Sequence, residues 1–356
     1  MQQRRRRDDG IGLDELAQAA RNHGMPLEAM RAAVTPAGMH YLLIHYDVPF
    51  VDPAAWTLEL AGFRQPMRLS LDDLRARPVV TAPVTLECAG NGRVMFETRP
   101  LSQPWLLEAV GTAEWTGTPL APLLQEAGVP DGTVEIVFTG LDRGVEAGNE
   151  APFERSLPLD EAMRDDVLLV YAMNGQPLLP QHGAPLRLVV PGWYGMTHVK
   201  WLGGIAPAAQ PFEGYQQAVA YRLRTTEDEP GEPLGRIRVR SLMVPPGIPS
   251  FPERTRVVGA GPVTLEGRAW SGSGAIERVE VSVDGSRTWA DAHLEPAPAP
   301  YAWQRWTFEW TASQGEHELA CRATDATGAT QPMEAEPNLG GYANNAVHRL
   351  AVTVTA

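Results

Sequence analysis

The sequence predicts a β-rich α+β protein whose last part is an immunoglobulin-like β-sandwich. Short apolar runs alternate with 34 glycines and 32 prolines, a composition that favours strands and turns over long helices. The 356 residues exceed one typical core, and the charged, proline-bearing stretch 225–233 lacks apolar periodicity. We therefore expect an N-terminal arm at 1–38, a first domain at 39–228 and a second domain at 229–356.

Short helices that alternate with strands predict an α+β fold for the arm and the first domain. Ser70 is a typical helix cap, and Gly128 is a typical residue after a helix. Helical spacing predicts short helices at 13–20, 26–30, 71–77, 120–125 and 159–163. Apolar and β-branched runs predict strands at 41–46, 56–62, 84–88, 134–138, 167–171 and 186–190.

After the boundary, the pattern contains only strands and turns. Strands are predicted at 237–244, 263–270, 279–283, 303–310, 317–323 and 347–354. Asp284-Gly285, directly after one of them, is a hairpin signal. Six or seven short strands at this spacing are typical of an immunoglobulin-like sandwich.

Charge and composition exclude several classes of partner. The formal net charge of −13 disfavours nucleic acid and anionic membrane surfaces, and no run of eighteen apolar residues predicts a membrane span. Cys88 and Cys321 fall in different predicted domains, so we expect no disulfide. The arginines at 4–7 are followed by acidic residues rather than by an apolar segment, so we expect no signal peptide and a cytoplasmic protein, with export left open.

The stretch 83–93, Pro-Val-Thr-Leu-Glu-Cys-Ala-Gly-Asn-Gly-Arg, places a thiol where a strand ends. Period-two alternation puts Cys88 on the apolar face of this strand, and Arg93 adds a positive charge that would favour the thiolate. A soft anionic sulfur suits a metal. The alternative is a small buried hydrophobic residue beside an ordinary hairpin turn.

A second stretch, 173–203, collects polar and cationic side chains around the glycine-containing loop 191–195. These side chains are His182, Arg187, His198 and Lys200, the last being the chain's only lysine. Such donors could bind a phosphate and a polar heterocycle. The alternative is a surface loop with scattered polar residues.

Both stretches resemble the sulfite oxidase family of molybdopterin enzymes, in particular its haem-free bacterial members. Thr-Leu-Glu-Cys-Ala-Gly-Asn-Gly-Arg is similar to the family's CAGN-x-R segment, and 173–203 is similar to its NG-PL…HG-P-R-VVPG…VKWL segment. The likeness extends over about 40–355. It implies a sulfite-oxidase-type molybdopterin domain at 39–228 followed by an immunoglobulin-like dimerisation domain, and therefore a homodimer.

The resemblance also implies roles for individual residues. Cys88 would ligate molybdenum, and the cofactor-binding set would be Tyr41, His45, Cys88, Asn91, Asp142, His182, Arg187, His198 and Lys200. The catalytic candidates at the substrate side would be Cys88, Arg93, Trp105, Phe153 and Arg305.

Three departures from the family pattern concern the substrate. Leu43 stands where the family has an arginine, Phe153 where it has a tyrosine, and Gln304 where it has a pocket arginine, although Arg305 is adjacent. Arg93 is the pocket cation that the sequence retains. We therefore expect sulfite to be a poor substrate, and the natural one to be less charged or to be bound partly by Arg305.

The resemblance implies two-electron oxygen-atom transfer on sulfite or a related sulfur compound, with a sulfur oxyanion as the expected substrate. No haem-attachment motif is present in the sequence, so electrons would pass to a separate acceptor. Two alternatives remain open at this point: a reductase of an S-oxide or N-oxide that uses the same centre, and a metal-free homologue without catalysis.

Overall fold

Two five-stranded sheets form the first domain in the computed structural model, which describes residues 4–356; the first three residues of the predicted arm lie outside it. One sheet has the order Gln176–Pro177, Leu168–Met173, Val110–Pro119, Val80–Glu87, with Arg187–Val189 on Leu168–Met173. The other has the order Met67–Ser70, Thr57–Leu60, Leu202–Ala208, Glu135–Glu146, Asn149–Pro158. All pairs are antiparallel except Leu202–Ala208 with Thr57–Leu60.

The helices are short, as the sequence predicts. The α-helices are Leu13–Ala19, Leu71–Arg75, Leu120–Ala127 and Leu159–Ala162. Single 3₁₀ turns lie at Arg7–Asp9, Leu27–Arg31, Ala37–Met39, Arg93–Met95, Pro180–His182 and Gly195–Thr197, and a π turn lies at Gln216–Ala220. Ser70 caps its helix by accepting from the Asp73 amide. Within 4–356, no helix is long and apolar enough to cross a membrane.

The predicted strand at 41–46 is wrong. This segment makes only an isolated bridge between Leu42 and His23, and it otherwise runs as irregular backbone. Its side chains Tyr41, Leu43 and His45 line internal cavities instead of alternating between two faces of a sheet. The alternation of apolar residues at 41–46 therefore marks side chains that line the cavities, and it does not indicate a strand.

The second domain is a β-sandwich, as predicted. One sheet has the order Arg240–Met243, Gly261–Trp270, Gln304–Ala312, His293–Leu294, and the other Ile248–Pro249, Arg256–Gly259, His348–Thr355, Gly315–Asp325, Ile276–Ser282, Ala290–Asp291. A short two-stranded pair, Arg222–Leu223 with Glu232–Pro233, precedes it, and Arg4–Arg6 pairs with Thr98–Pro100. Sequence patterning missed most strands of two to four residues, because so short a run carries little periodicity. It also missed three long strands of the first domain, Val110–Pro119, Asn149–Pro158 and Leu202–Ala208.

A buried network joins the two domains directly beneath Cys88. Glu87 accepts from Arg240 Nη1 at 2.5 Å and from Trp270 Nε1 at 2.8 Å, and it accepts from Asn91 Nδ2 at 3.0 Å. One hydrophobic cluster also contains side chains from both domains. Cys88 therefore follows a residue that is fixed by the sandwich, and the domain boundary at 228/229 stays a prediction because the core crosses it.

Replacing Glu87 with alanine should strongly destabilise the protein. The side chains of Glu87 and Arg240 are each 2% exposed, so the substitution leaves a buried cation without its partner. We expect the free energy of unfolding to fall by about 3–5 kcal/mol in urea titrations. The exposed pair Arg143–Glu150 supplies the control, since Glu150→Ala should cost about 1 kcal/mol or less. Equal losses in the two variants would contradict this role of the buried pair.

Candidate active site

Two cavities meet at Cys88. The inner chamber is lined by eight of the nine predicted cofactor residues: Tyr41, His45, Cys88, Asp142, His182, Arg187, His198 and Lys200. The outer chamber has a volume of about 410 Å³ and is lined among others by Arg93 and Trp105. Leu43, His45, Cys88 and Tyr221 line both. A group bound to the sulfur would therefore face both chambers.

The sulfur of Cys88 lies just after strand Val80–Glu87, where the chain turns at 89–92. Burial raises the pKa of the Cys88 thiol, and the nearby Arg93 charge lowers it by less. The charge of Arg93 alone therefore does not bring the pKa of Cys88 below its ordinary value, contrary to the prediction from the sequence. A Cβ at Gly90 would lie 2.7 Å from Arg93 Nη2, so a larger residue there would displace this guanidinium.

Arg187 is the central cation of the inner chamber. Its Nη1 donates to the His182 carbonyl at 3.1 Å, and its guanidinium lies 4.8 Å from the Trp115 ring centroid. Burial lowers the pKa of His182 to about 3 and that of Arg187 to about 10. The imidazole is therefore neutral and the guanidinium charged near neutral pH.

Lys200 has a setting that suits a compact ammonium. Its Nζ donates to the carbonyls of Leu43 at 2.8 Å and Gln181 at 3.2 Å, and lies 4.4 Å from the Trp201 ring centroid. Burial lowers the pKa of Lys200 to about 7 and raises that of Asp142 to about 6. Both groups consequently titrate near neutrality.

Three polar atoms of chamber residues test whether a pterin fits. His40 Nε2, Asp142 Oδ1 and Arg187 Nε are buried and have no hydrogen-bond partner within 4–356. Buried polar groups without partners are costly, and a heterocycle with both donors and acceptors would satisfy them. The donor set therefore fits a pterin with a phosphate near Arg187 and Lys200. His40 was missed by sequence reasoning, although it directly precedes Tyr41.

Two predicted cofactor residues, Asn91 and His198, use their polar atoms in hydrogen bonds within the protein. Asn91 does not line the inner chamber, because its amide donates to Glu87 and its carbonyl oxygen accepts from the Ala109 amide at 3.1 Å. His198 lines the chamber, but its Nδ1 accepts from the Val190 amide and its Nε2 faces the Trp193 carbonyl at 3.0 Å. Asn91 is thus a turn residue, and His198 offers a ring face rather than a free nitrogen.

Arg93 and Trp105 lie in the outer chamber as predicted. Arg93 Nη1 donates to Ser102 Oγ at 3.0 Å and Nε donates to the Gly340 carbonyl at 3.1 Å, while Nη2 has no partner within 4–356. Trp105 Nε1 is buried without a partner among the described oxygens and nitrogens. The arm also contributes to this wall, through Ala17, Gln18, Arg21 and Asn22. This contribution had no signal in the sequence.

Phe153 and Tyr221 hold His45 from two sides. The Phe153 ring stacks on the imidazole at 4.8 Å, and the Tyr221 hydroxyl lies 2.5 Å from His45 Nε2. Burial lowers the pKa of His45 to about 3. Sequence reasoning missed Tyr221, which restores a hydroxyl to a pocket where Phe153 has none. Arg155 lies 5.7 Å from the Tyr221 ring centroid, with Nε and Nη2 unpartnered among the described residues.

Arg305 lines neither chamber, so the structure gives its predicted catalytic role no support. Its guanidinium pairs with Glu266 and Glu295 on the sandwich sheet, and Gln304 Nε2 donates to the Glu295 carbonyl at 2.6 Å. Two carboxylates hold Arg305 at the sheet surface. The sandwich domain reaches the outer chamber through Tyr342 instead.

Comparison with known proteins agrees with this architecture. Residues 45–216 match the family model of the oxidoreductase molybdopterin binding domain, and residues 237–355 match the Mo-co oxidoreductase dimerisation domain. Sulfite oxidase of Gallus gallus is 35% identical over 342 residues, which cover 89% of this chain and 72% of that protein. The chain belongs to the sulfite oxidase family. Its two matched regions are the family's molybdopterin-binding and dimerisation domains.

Two further proteins with other names are also similar to this chain. A nitrate reductase [NADH] of Oryza sativa subsp. japonica is 31% identical over 353 residues, which cover 90% of this chain and 38% of that protein. The crystal structure of the sulfane dehydrogenase SoxCD from Paracoccus pantotrophus matches with a TM-score of 0.82 and 28% identity, covering 93% of this chain and 84% of that one. The chain spans 62% of the length of the mammalian sulfite oxidases it matches.

Acid should destabilise this family member between about pH 6.5 and pH 4. Burial lowers the pKa of five histidines: His40 to about 4, and His45, His182, His198 and His348 to about 3. In this window the unfolded chain binds protons that the folded chain does not. As the pH is lowered, the free energy of unfolding therefore falls by about 1.4 kcal/mol per pH unit for each histidine. Asp142, whose pKa burial raises to about 6, acts in the opposite direction as a single group.

Urea titrations at about pH 7 and about pH 5 measure this dependence. His348 lies in the sandwich, where its Nδ1 accepts from the Met243 amide at 2.9 Å. His348→Gln should remove one histidine's share of the pH dependence. Stability that does not change between the two pH values would contradict buried neutral histidines.

Proposed function

We propose that the protein oxidises a sulfur compound by two-electron oxygen-atom transfer and passes the electrons to an external acceptor. The observation that carries this proposal is the position of Cys88, shared by a chamber with pterin-compatible donors and a chamber with one buried cation, Arg93. Sulfite oxidases and a sulfane dehydrogenase among the similar proteins support a sulfur substrate.

In this proposal each chamber residue has a distinct task. The cofactor supplies the two-electron oxygen-transfer chemistry when it is bound. His182, Arg187 and Lys200 would hold the pterin and its phosphate, and Cys88 would ligate the metal. Arg93 would attract the negative charge of the substrate through its free Nη2.

The Tyr221–His45 pair would provide the hydrogen-bonding wall at the reacting centre. His45 is neutral, and a hydroxyl that donates to its Nε2 leaves the proton on Nδ1, which has no partner among the described residues. Phe153 holds the ring plane by stacking. The pocket thus offers neutral donors beside a single cation, an arrangement that favours a substrate with less charge than the sulfite dianion.

A steady-state comparison of substrates tests the function. With ferricyanide as acceptor, we expect sulfite turnover with kcat/KM below about 10⁶ M⁻¹s⁻¹, within the ordinary enzyme range, and falling with ionic strength. A higher value would contradict a pocket that has lost an arginine at Leu43. The second candidate function is reduction of an S-oxide or N-oxide, which the apolar Leu43 and Phe153 would favour. Reduced viologen with a neutral S-oxide tests it.

The assembly and the location are also proposals. The dimerisation domain at 237–355 supports a homodimer, which static light scattering would report as twice the 38.8 kDa chain mass. A mass near one chain at micromolar concentration would contradict it. The cytoplasmic location stays a prediction, and cell fractionation would test it.

A further inference from the structure

Several arginines without an acidic partner among the described residues line two neighbouring cavities at the substrate side of the molecule. Most of the other arginines lie within ion-pair distance of a carboxylate, as expected in a chain of net charge −13. Within 4–356, Arg4, Arg21, Arg93, Arg222 and Arg224 form no ion pair, and all five line the outer chamber or the cavity beside it. The walls of these two cavities therefore carry positive charge that no ion pair in the described part of the chain compensates.

The second cavity, which we call the vestibule, has a volume of about 340 Å³. It is lined by Arg4, Arg93, Arg222 and Arg224 among others, and its only acidic wall residue is the exposed Glu227. Arg93, Ser102 and Tyr342 line both the vestibule and the outer chamber. The vestibule therefore adjoins the outer chamber at these three side chains.

Carbonyl groups, which leave the charge in place, position Arg4 and Arg222. Arg222 Nη2 donates to the Gly231 carbonyl at 2.6 Å, and Arg4 Nη2 donates to the Leu339 carbonyl at 2.8 Å. Arg224 has no side-chain hydrogen bond within 4–356. Guanidinium groups held in this way have little side-chain freedom left to lose when they bind an anion.

The arm is fixed firmly enough to present Arg4. Strand Arg4–Arg6 pairs with Thr98–Pro100, and Glu15 forms an ion pair with Arg99 at 3.1 Å, with both side chains almost fully buried. Arg99 Nη2 also donates to the Gly10 carbonyl at 2.9 Å. The arm is thus part of the wall of the substrate site.

We infer that the vestibule binds a second anionic group of the substrate, remote from the reacting sulfur. This inference rests on the proposed function and narrows its substrate to an organic sulfur compound with a distal carboxylate or a similar anion. A compact anion such as sulfite would contact Arg93 and leave Arg222 and Arg224 without a ligand. The arginines of the vestibule attract any anion within a Debye length. Only a substrate that carries two linked anionic groups can bind Arg93 and the vestibule arginines at the same time.

Matched sulfinates test this inference on the holoenzyme. Oxidation of 3-sulfinopropionate takes one oxygen from water, releases two protons and passes two electrons to two ferricyanide ions, giving the sulfonate. Propanesulfinate has the same number of carbon atoms and lacks the distal carboxylate. We expect Arg222→Gln/Arg224→Gln to lower kcat/KM about fivefold to tenfold for 3-sulfinopropionate, because two partly exposed charge contacts are lost. Propanesulfinate and sulfite should change less than about twofold.

The control variant is Arg68→Gln, whose exposed arginine contacts only Thr57 Oγ1 and lies outside these cavities. It should leave all three substrates unchanged. Equal losses for all three substrates in the double variant would show general steering only and would overturn the inference, as would no loss at all.

Calorimetric binding separates this inference from the proposed function. Glutarate, a sulfur-free dianion, should bind wild type more tightly than butyrate does, and the double variant should lose this preference. If no sulfur compound is oxidised but the preference for glutarate depends on Arg222 and Arg224, the proposed function fails and the inference that the vestibule binds an anion holds. Identical glutarate binding to wild type and to the double variant would overturn the inference that the vestibule binds an anion, whatever the activity.

Discussion

Cys88→Ser should reduce turnover by more than about 100-fold, beyond the loss that substitutions around a metal's ligands usually cause. A hydroxyl is a poor substitute for a soft thiolate at molybdenum, and Cys88 is the cysteine that faces both chambers. The change in volume at the strand end is small, so the free energy of unfolding should change by less than about 1.5 kcal/mol. Metal analysis and steady-state kinetics measure the first effect, and urea titration the second.

Cys321→Ser is the matched control for this prediction. Cys321 is also fully buried, but it lies in the sandwich, where its sulfur contacts Ser241. Its replacement should leave molybdenum content and turnover unchanged. Wild-type turnover in Cys88→Ser would refute the assignment of Cys88 as the metal ligand.

Tyr221→Phe should lower kcat/KM by about 5-fold to 100-fold. The substitution removes the hydroxyl that lies 2.5 Å from His45 Nε2 and leaves a buried nitrogen without its partner, a loss of about 1–3 kcal/mol. The ring stays in place, so its packing on Tyr342 and Arg155 is retained. Because an unpartnered imidazole titrates differently, the acidic limb of the pH–rate profile should also move.

Phe153→Tyr in the Tyr221→Phe background tests whether the position of the hydroxyl matters. The Phe153 ring already stacks on His45, so a tyrosine there returns a hydroxyl close to the same imidazole, as in the family pattern. We expect partial recovery of kcat/KM in the double variant. A Tyr221→Phe enzyme with unchanged kcat/KM and pH profile would show that the hydroxyl has no role at the reacting centre.

Local patterns in the sequence were sufficient for much of this protein. Strand alternation ending at Cys88, a helix capped by Ser70 and regularly spaced strands after 233 predicted a β-rich α+β domain followed by a sandwich, and the structure confirms both. The similarity of two stretches to family motifs identified five residues that line the inner chamber: Cys88, His182, Arg187, His198 and Lys200. These features depend on neighbours within a few positions, which is the range over which periodicity and turn chemistry act.

The tertiary structure alone decided which side chains act together at the substrate side. Tyr221 meets His45 across 176 positions, and Glu87 meets Arg240 across 153. Arg305, one position from the family's pocket arginine, instead pairs with Glu266 and Glu295 because the strand register places it on that face of the sheet. Long-range contacts between buried polar groups follow from how the elements pack, and packing satisfies hydrogen bonds between partners whose separation in sequence carries no period.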